Sequence, residues 1–111
     1  MQVNNAPMYA NLYPSMRDIA RAHGYALAVH GSMLRDLDLI AVPWTKEACD
    51  PQELADIFFK SFHFVHMDGP EEKHHGRKAW TLAFPGVCFV DLSIMPMETL
   101  PPVVLPKIDP H

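Results

Sequence analysis

The chain has 111 residues, 49% of them hydrophobic and 20% charged, with a net charge of -4. This is the make-up of one ordinary globular domain. It excludes a protein that coats nucleic acid through a basic face, and no apolar stretch is long enough to span a membrane. The first residues carry neither a basic region nor an apolar run, and Cys49 and Cys88 stand in unlike contexts without metal-type spacing. The expectation is therefore a cytoplasmic protein with free thiols.

In chain order, residues 1–10 read as a flexible arm. A helix is expected from about Leu12 to His23, with Asn11 as its N-cap, Pro14 in its first turn and Gly24 closing it in a left-handed conformation. Tyr25–Val29 is a short apolar run between glycines, the pattern of a central strand buried on both faces. A second strand over Asp36–Trp44 follows so closely that the two should be antiparallel neighbours.

Asp50-Pro51-Gln52-Glu53 is the clearest helix start: Asp50 caps, Pro51 takes the first helical position and Glu53 completes a capping box. Leu54, Ile57, Phe58, Ser61 and Phe62 form the inward stripe of that helix. His63–Met67 reads as an edge strand open to self-pairing, and 68–78 as a polar loop carrying Lys73-His74-His75-Gly76-Arg77-Lys78. Ala79–Phe84 and Cys88–Ile94 flank a Pro85-Gly86-Val87 turn as a hairpin. The sum is a small α+β domain over 11–96, with a mixed, mostly antiparallel sheet of four or five strands and two main helices on one face. Residues 97–111 read as a proline-rich extended tail.

The chemistry concentrates in three acids. In Asp36-Leu37-Asp38-Leu39 the period of a strand sets Asp36 and Asp38 on one face and the leucines on the other. Asp91 interrupts an otherwise apolar strand, with Val90 and Leu92 pointing away from it. Like charges so placed repel unless a cation lies between them, so the three acids suit Mg²⁺ or Mn²⁺, which favour carboxylate, water and phosphate oxygens. Gly31-Ser32, at the end of the first strand, offers N–H groups and a hydroxyl to a phosphate. The loop cations Lys73 and Arg77 would offset phosphate charge. His63, His66, His74 and His75 invite a zinc reading, but strand residues three apart face opposite sides.

The order of Leu27-Ala28-Val29-His30-Gly31-Ser32, Asp36-Leu37-Asp38-Leu39-Ile40 and Phe89-Val90-Asp91-Leu92 resembles the nucleotidyltransferase-fold superfamily: an apolar strand, Gly-Ser, Asp-x-Asp on the next strand and a later third carboxylate. The resemblance spans roughly residues 25–95. It implies that Asp36, Asp38 and Asp91 hold Mg²⁺ (or Mn²⁺) and act in catalysis, with Asp91 helping to deprotonate an attacking hydroxyl. It further implies that Gly31 and Ser32 hold nucleotide phosphates, an expectation extended here to Arg35, Lys73 and Arg77. The function expected is nucleotide binding with transfer of a nucleotidyl group to a hydroxyl on a protein or nucleic acid.

The connector Met33-Leu34-Arg35 is shorter than that family's, and its usual additional substrate domain is not in this chain. The nearest style is that of minimal nucleotidyltransferase antitoxins, which act with a protein partner. His-Gly-Ser, Arg-Asp-Leu-Asp-Leu-Ile-Ala-Val-Pro-Trp and His-Gly-Arg-Lys-Ala-Trp also resemble small phage and prophage proteins, a likeness that carries no activity. The alternative expectation is thus a non-catalytic phage or prophage interaction or regulatory protein on a degenerate nucleotidyltransferase scaffold, alone or as a homo-oligomer. On that alternative the acids are relics or contact a partner's basic patch; the plainest reading of Asp36 and Asp38 leaves them solvated or paired with Arg35, with the small residues of Gly31-Ser32 closing a turn for steric reasons.

Overall fold

A computed structural model describes residues 5–86 and 88–97. The elements are α1 (Ala6–Ala22), β1 (Tyr25–His30), β2 (Asp36–Pro43), α2 (Pro51–Ser61), β3 (His66–Glu72), β4 (Lys78–Ala83) and β5 (Phe89–Ile94). The five strands form one sheet in the order β1-β2-β5-β4-β3, antiparallel except for the parallel β2–β5 pair. The architecture is the expected α+β fold, a mixed and mostly antiparallel sheet with both helices against one face.

Alternation along the strands explains that one-sided packing. Leu27, Leu37, Leu39, Ala41, Trp80, Leu82, Val90, Leu92 and Ile94 are buried in one cluster with Tyr9, Met16 and Ala20 of α1 and Leu54, Ala55 and Phe58 of α2. The intervening positions, including Ala26, Ala28, His30, Asp36, Asp38, Ile40, Thr81 and Asp91, lie on the face without helices and are exposed or half-buried. Asp50 starts α2 as its sequence indicates, accepting a hydrogen bond from Gln52 N–H at 3.1 Å, with Pro51 in the first turn.

Four expectations are corrected. The segment from Ala6 is helix, not an arm; residues 1–4 lie outside the described residues. Asn5 occupies the N-cap position that Asn11 was expected to take, and Pro7 is the proline of the first turn. Burial of Tyr9 against the sheet is what holds the added turns: its hydroxyl donates to Arg35 O at 2.6 Å and accepts from Phe89 N–H at 3.1 Å. Pro14 consequently falls inside the helix, on the exposed side together with Ala10, where water can replace the hydrogen bond that proline cannot donate.

β1 is an edge strand and not a central one. Its apolar run misleads because Ala26 and Ala28 are small enough to stand on an uncovered face. The edge is partly occupied, since the Tyr13 hydroxyl of α1 donates to Leu27 O.

The other edge strand begins at His66, three residues later than His63, and runs through 68–72, which its polarity marks as loop. An edge strand with one face in water needs little apolar sequence, and charges with Pro70 discourage further pairing there. The proline-rich tail expected over 97–111 lies outside the described residues beyond Met97, as does Val87 of the expected β4–β5 turn.

Candidate functional site: facing carboxyls on the open sheet face

Register builds the site. Reading across the strands, His30 pairs with Asp38, Asp38 with Asp91, Asp91 with Thr81 and Thr81 with Asp68. The parallel β2–β5 pairing sets the two aspartates side by side with no strand between them. Their side chains share the open face because Leu37, Leu39, Val90 and Leu92 occupy the core beneath. One step further along are Ile40, Ser93 and Ala79, again register neighbours.

The carboxyl of Asp91 is held above its ordinary range. Burial is the largest cause; a hydrogen bond with Asp38 and the negative charge of Asp38 add to it. Thr81 opposes the shift, its hydroxyl donating to Asp91 Oδ1 at 3.1 Å, and His30 does so by its charge. Burial and the facing Asp38 together thus favour the protonated form of Asp91 more than in an exposed carboxyl.

A cavity of about 310 Å³ lies elsewhere, along β1, between Arg17, Arg21 and Trp44. A larger one of about 620 Å³ lies at the start of α2, lined by Lys46, Cys49 and Lys78 among others. Burial pushes the Cys49 thiol up, which does not suit a nucleophile. The cavity that contains the paired acids is about 290 Å³, lined by His30, Asp38, Glu71, Lys73, Ala79, Trp80, Thr81, Asp91 and Ser93.

Of the residues expected from sequence, this cavity brings Asp38, Asp91 and Lys73 together. Arg77 stands at its margin, its guanidinium donating to Ser93 Oγ at 3.2 Å. Asp36, Gly31, Ser32 and Arg35 are not among its lining residues. Asp36 pairs in register with Phe89, one step along β2 toward α1, and its charge bears on Tyr9. Gly31 (φ +83) turns the chain against Asp38, and a Cβ there would lie 3.0 Å from Asp38 Oδ2. The Ser32 hydroxyl accepts from Leu34 N–H at 3.3 Å, and Arg35 is exposed.

Lys73 and Arg77 reach this face through a tight turn. Arg77 N–H donates to His74 O at 3.3 Å and Lys73 N–H to Arg77 O at 2.7 Å. His75 (φ 63, ψ 28) and Gly76 (φ 74) are both left-handed, the conformation of a type I′ hairpin turn. The positions missed from sequence were His30, Thr81, Glu71 and Ser93. Nothing local marks them; only their cross-strand neighbours do.

Among the described residues no group of three or more His, Cys, Asp or Glu side chains is arranged to hold a metal ion. The expected set of Asp36, Asp38 and Asp91 is thus reduced to two neighbouring carboxyls, a number through which proteins commonly hold magnesium or manganese while water and phosphate fill the remaining positions. The repelled pair, with Asp91 raised, is the kind of donor set such a cation would relieve.

The chain matches no family model, no curated protein and no solved structure. No helix of the described residues is long and apolar enough to cross a membrane.

Proposed function

We propose that the open face binds a nucleotide together with Mg²⁺ or Mn²⁺ in the manner of a minimal nucleotidyltransferase, and that it transfers a nucleotidyl group from a nucleoside triphosphate to a hydroxyl acceptor, with pyrophosphate leaving. The observation that carries this reading is the Asp38–Asp91 register pair inside a cavity that also holds Lys73. Asp38 and Asp91 would hold the cation, whose chemistry is to neutralise the carboxylates and polarise phosphate oxygens. Thr81 holds Asp91 through its hydroxyl, and His30 flanks Asp38. On this reading Asp91 takes a proton from an acceptor hydroxyl once a bound cation has offset the charge of Asp38 and left Asp91 ionised. A cytoplasmic location and a protein or nucleic acid as acceptor belong to the same reading.

Thermal unfolding with Mg²⁺ or Mn²⁺ and each of the four nucleoside triphosphates tests it. A ligand at one hundred times its dissociation constant adds about 2.7 kcal/mol of stability. No shift with any nucleotide, or an equal shift in Asp38→Asn and Asp91→Asn proteins, would remove the reading.

A second reading is favoured by the placing of Asp36 outside the cavity. On it the chain is a non-catalytic interaction or regulatory protein, of phage or prophage type, on the same scaffold. Unaltered nucleotide, after long incubation with a protein that binds it, would support this second reading over transfer.

A further inference from the structure

Resting on the nucleotide reading above, we infer that the phosphate end of the ligand is received by the β3–β4 hairpin, on Lys73 and Arg77, and not by the Gly31-Ser32 turn. The ligand class is then a nucleoside di- or triphosphate whose terminal phosphates point across β5 and β4 toward the turn at His75-Gly76.

Three observations carry this. First, Lys73 lines the same cavity as Asp38 and Asp91, whereas Gly31 and Ser32 do not. Second, the Gly31-Ser32 turn stands against a carboxylate. Gly31 is packed so near Asp38 that the space a Cβ would take is bounded by a carboxylate oxygen at 3.0 Å. An anion approaching there meets negative charge. Third, the hairpin cations are anchored yet retain donors. Lys73 Nζ donates to Glu71 at 2.9 Å and has two further N–H groups. Arg77 bonds Ser93 Oγ at 3.2 Å through one nitrogen and keeps the rest of its fork.

The type I′ turn holds the two residues opposite one another, Lys73 N–H bonding Arg77 O. Lys73 in the cavity wall, Arg77 beside it on Ser93 and the two carboxyls within give the site a direction. A cation held by Asp38 and Asp91 neutralises the nearer phosphate, and Lys73 with Arg77 takes the farther one. A guanidinium is suited to a terminal phosphate because its planar fork bonds two oxygens at once.

The test is calorimetric binding, in buffer with Mg²⁺, of adenosine and guanosine mono-, di- and triphosphates and of inorganic pyrophosphate. It is run on the parent protein and on Lys73→Gln, Arg77→Gln, Ser32→Ala and Asp38→Asn variants, each with an unfolding curve taken without ligand. The expected result is affinity that rises with phosphate number in the parent. Lys73→Gln and Arg77→Gln should each lose about tenfold for triphosphates and little for monophosphates, flattening that rise. Ser32→Ala should bind within about twofold of the parent.

Should Arg77→Gln unfold early through loss of the Ser93 bond, Lys73→Gln alone decides. Triphosphate binding that is unchanged in Lys73→Gln, or lost in Ser32→Ala, overturns the hairpin assignment while Asp38-dependent binding keeps the nucleotide reading. A parent protein that binds none of these ligands overturns both.

Discussion

Asp38 and Asp91 are direct register partners across the one parallel strand pair of the sheet, and each faces away from the helices. No strand or helix separates the two carboxyls, and the carboxyl of Asp91 is raised by burial and by Asp38. This makes the pair a local liability in the free protein and, on the function proposed here, the anchor for a cation.

The liability has a definite pH signature. A folded carboxyl raised above its unfolded value contributes stability that is full below the unfolded value and is lost as the pH rises through the folded one. Without a divalent cation the protein should therefore lose the contribution of Asp91 as the pH climbs out of the acid range toward neutrality. Asp91→Asn should be more stable than the parent at pH 7 and lose that advantage near pH 4. Melting curves taken over this range, without and with Mg²⁺, check the sign; a less stable Asp91→Asn protein at neutral pH would contradict it.

Tyr9 ties the start of α1 to the starts of β2 and β5. Its hydroxyl bonds both Arg35 O and the Phe89 peptide from a fully buried ring. Tyr9→Phe leaves backbone groups without a partner in the interior and should cost about 1–3 kcal/mol. Urea unfolding measures this, and hydrogen exchange should report faster opening at Phe89 in particular.

Gly31→Ala should be disproportionately costly for a surface position. The residue is left-handed, and its new methyl would stand 3.0 Å from Asp38 Oδ2. Strain of this kind is worth about 1–3 kcal/mol. The carboxylate can relieve the contact only by moving, so Mg²⁺ or Mn²⁺ should stabilise the variant less than the parent. An alanine variant that melts with the parent would mean the turn re-forms in another conformation.

The hairpin turn supplies a fourth test. Gly76 (φ 74) follows His75 (φ 63), so both central residues are left-handed. Gly76→Val places a β-branched residue where it is least tolerated and should cost about 1–3 kcal/mol. Its larger consequence should be displacement of Lys73 and Arg77, read as loss of the dependence of nucleotide affinity on phosphate number. Gly86→Val, whose Cβ would meet open space at a comparably left-handed position, serves as the control for backbone strain alone.

Much of this was legible beforehand because it is encoded locally. The Asp50-Pro51 start of α2, the alternation of acids and leucines in β2, and Asp91 between Val90 and Leu92 are patterns of a few residues. Each is read correctly from strand or helix period. The start of α1 was not legible, because Asn11-Leu12 offers as good a cap as Asn5-Ala6; bonds from Tyr9 to residues 26 and 80 positions away choose between them. β3 is not legible because an edge strand with one face in water needs little apolar sequence.

The sequence by itself therefore determined which residues could be acidic anchors and which side of a strand each must occupy, since side-chain direction follows from strand period alone. Only the tertiary structure decided who stands beside whom. The choice of β5 as the parallel neighbour of β2 brings Asp91 to Asp38 and leaves Asp36 a step away, and the type I′ turn brings Lys73 and Arg77 toward the same cavity. Strand register depends on burying the leucines under both helices at once. That is a property of the whole core, and no short stretch of chain contains it.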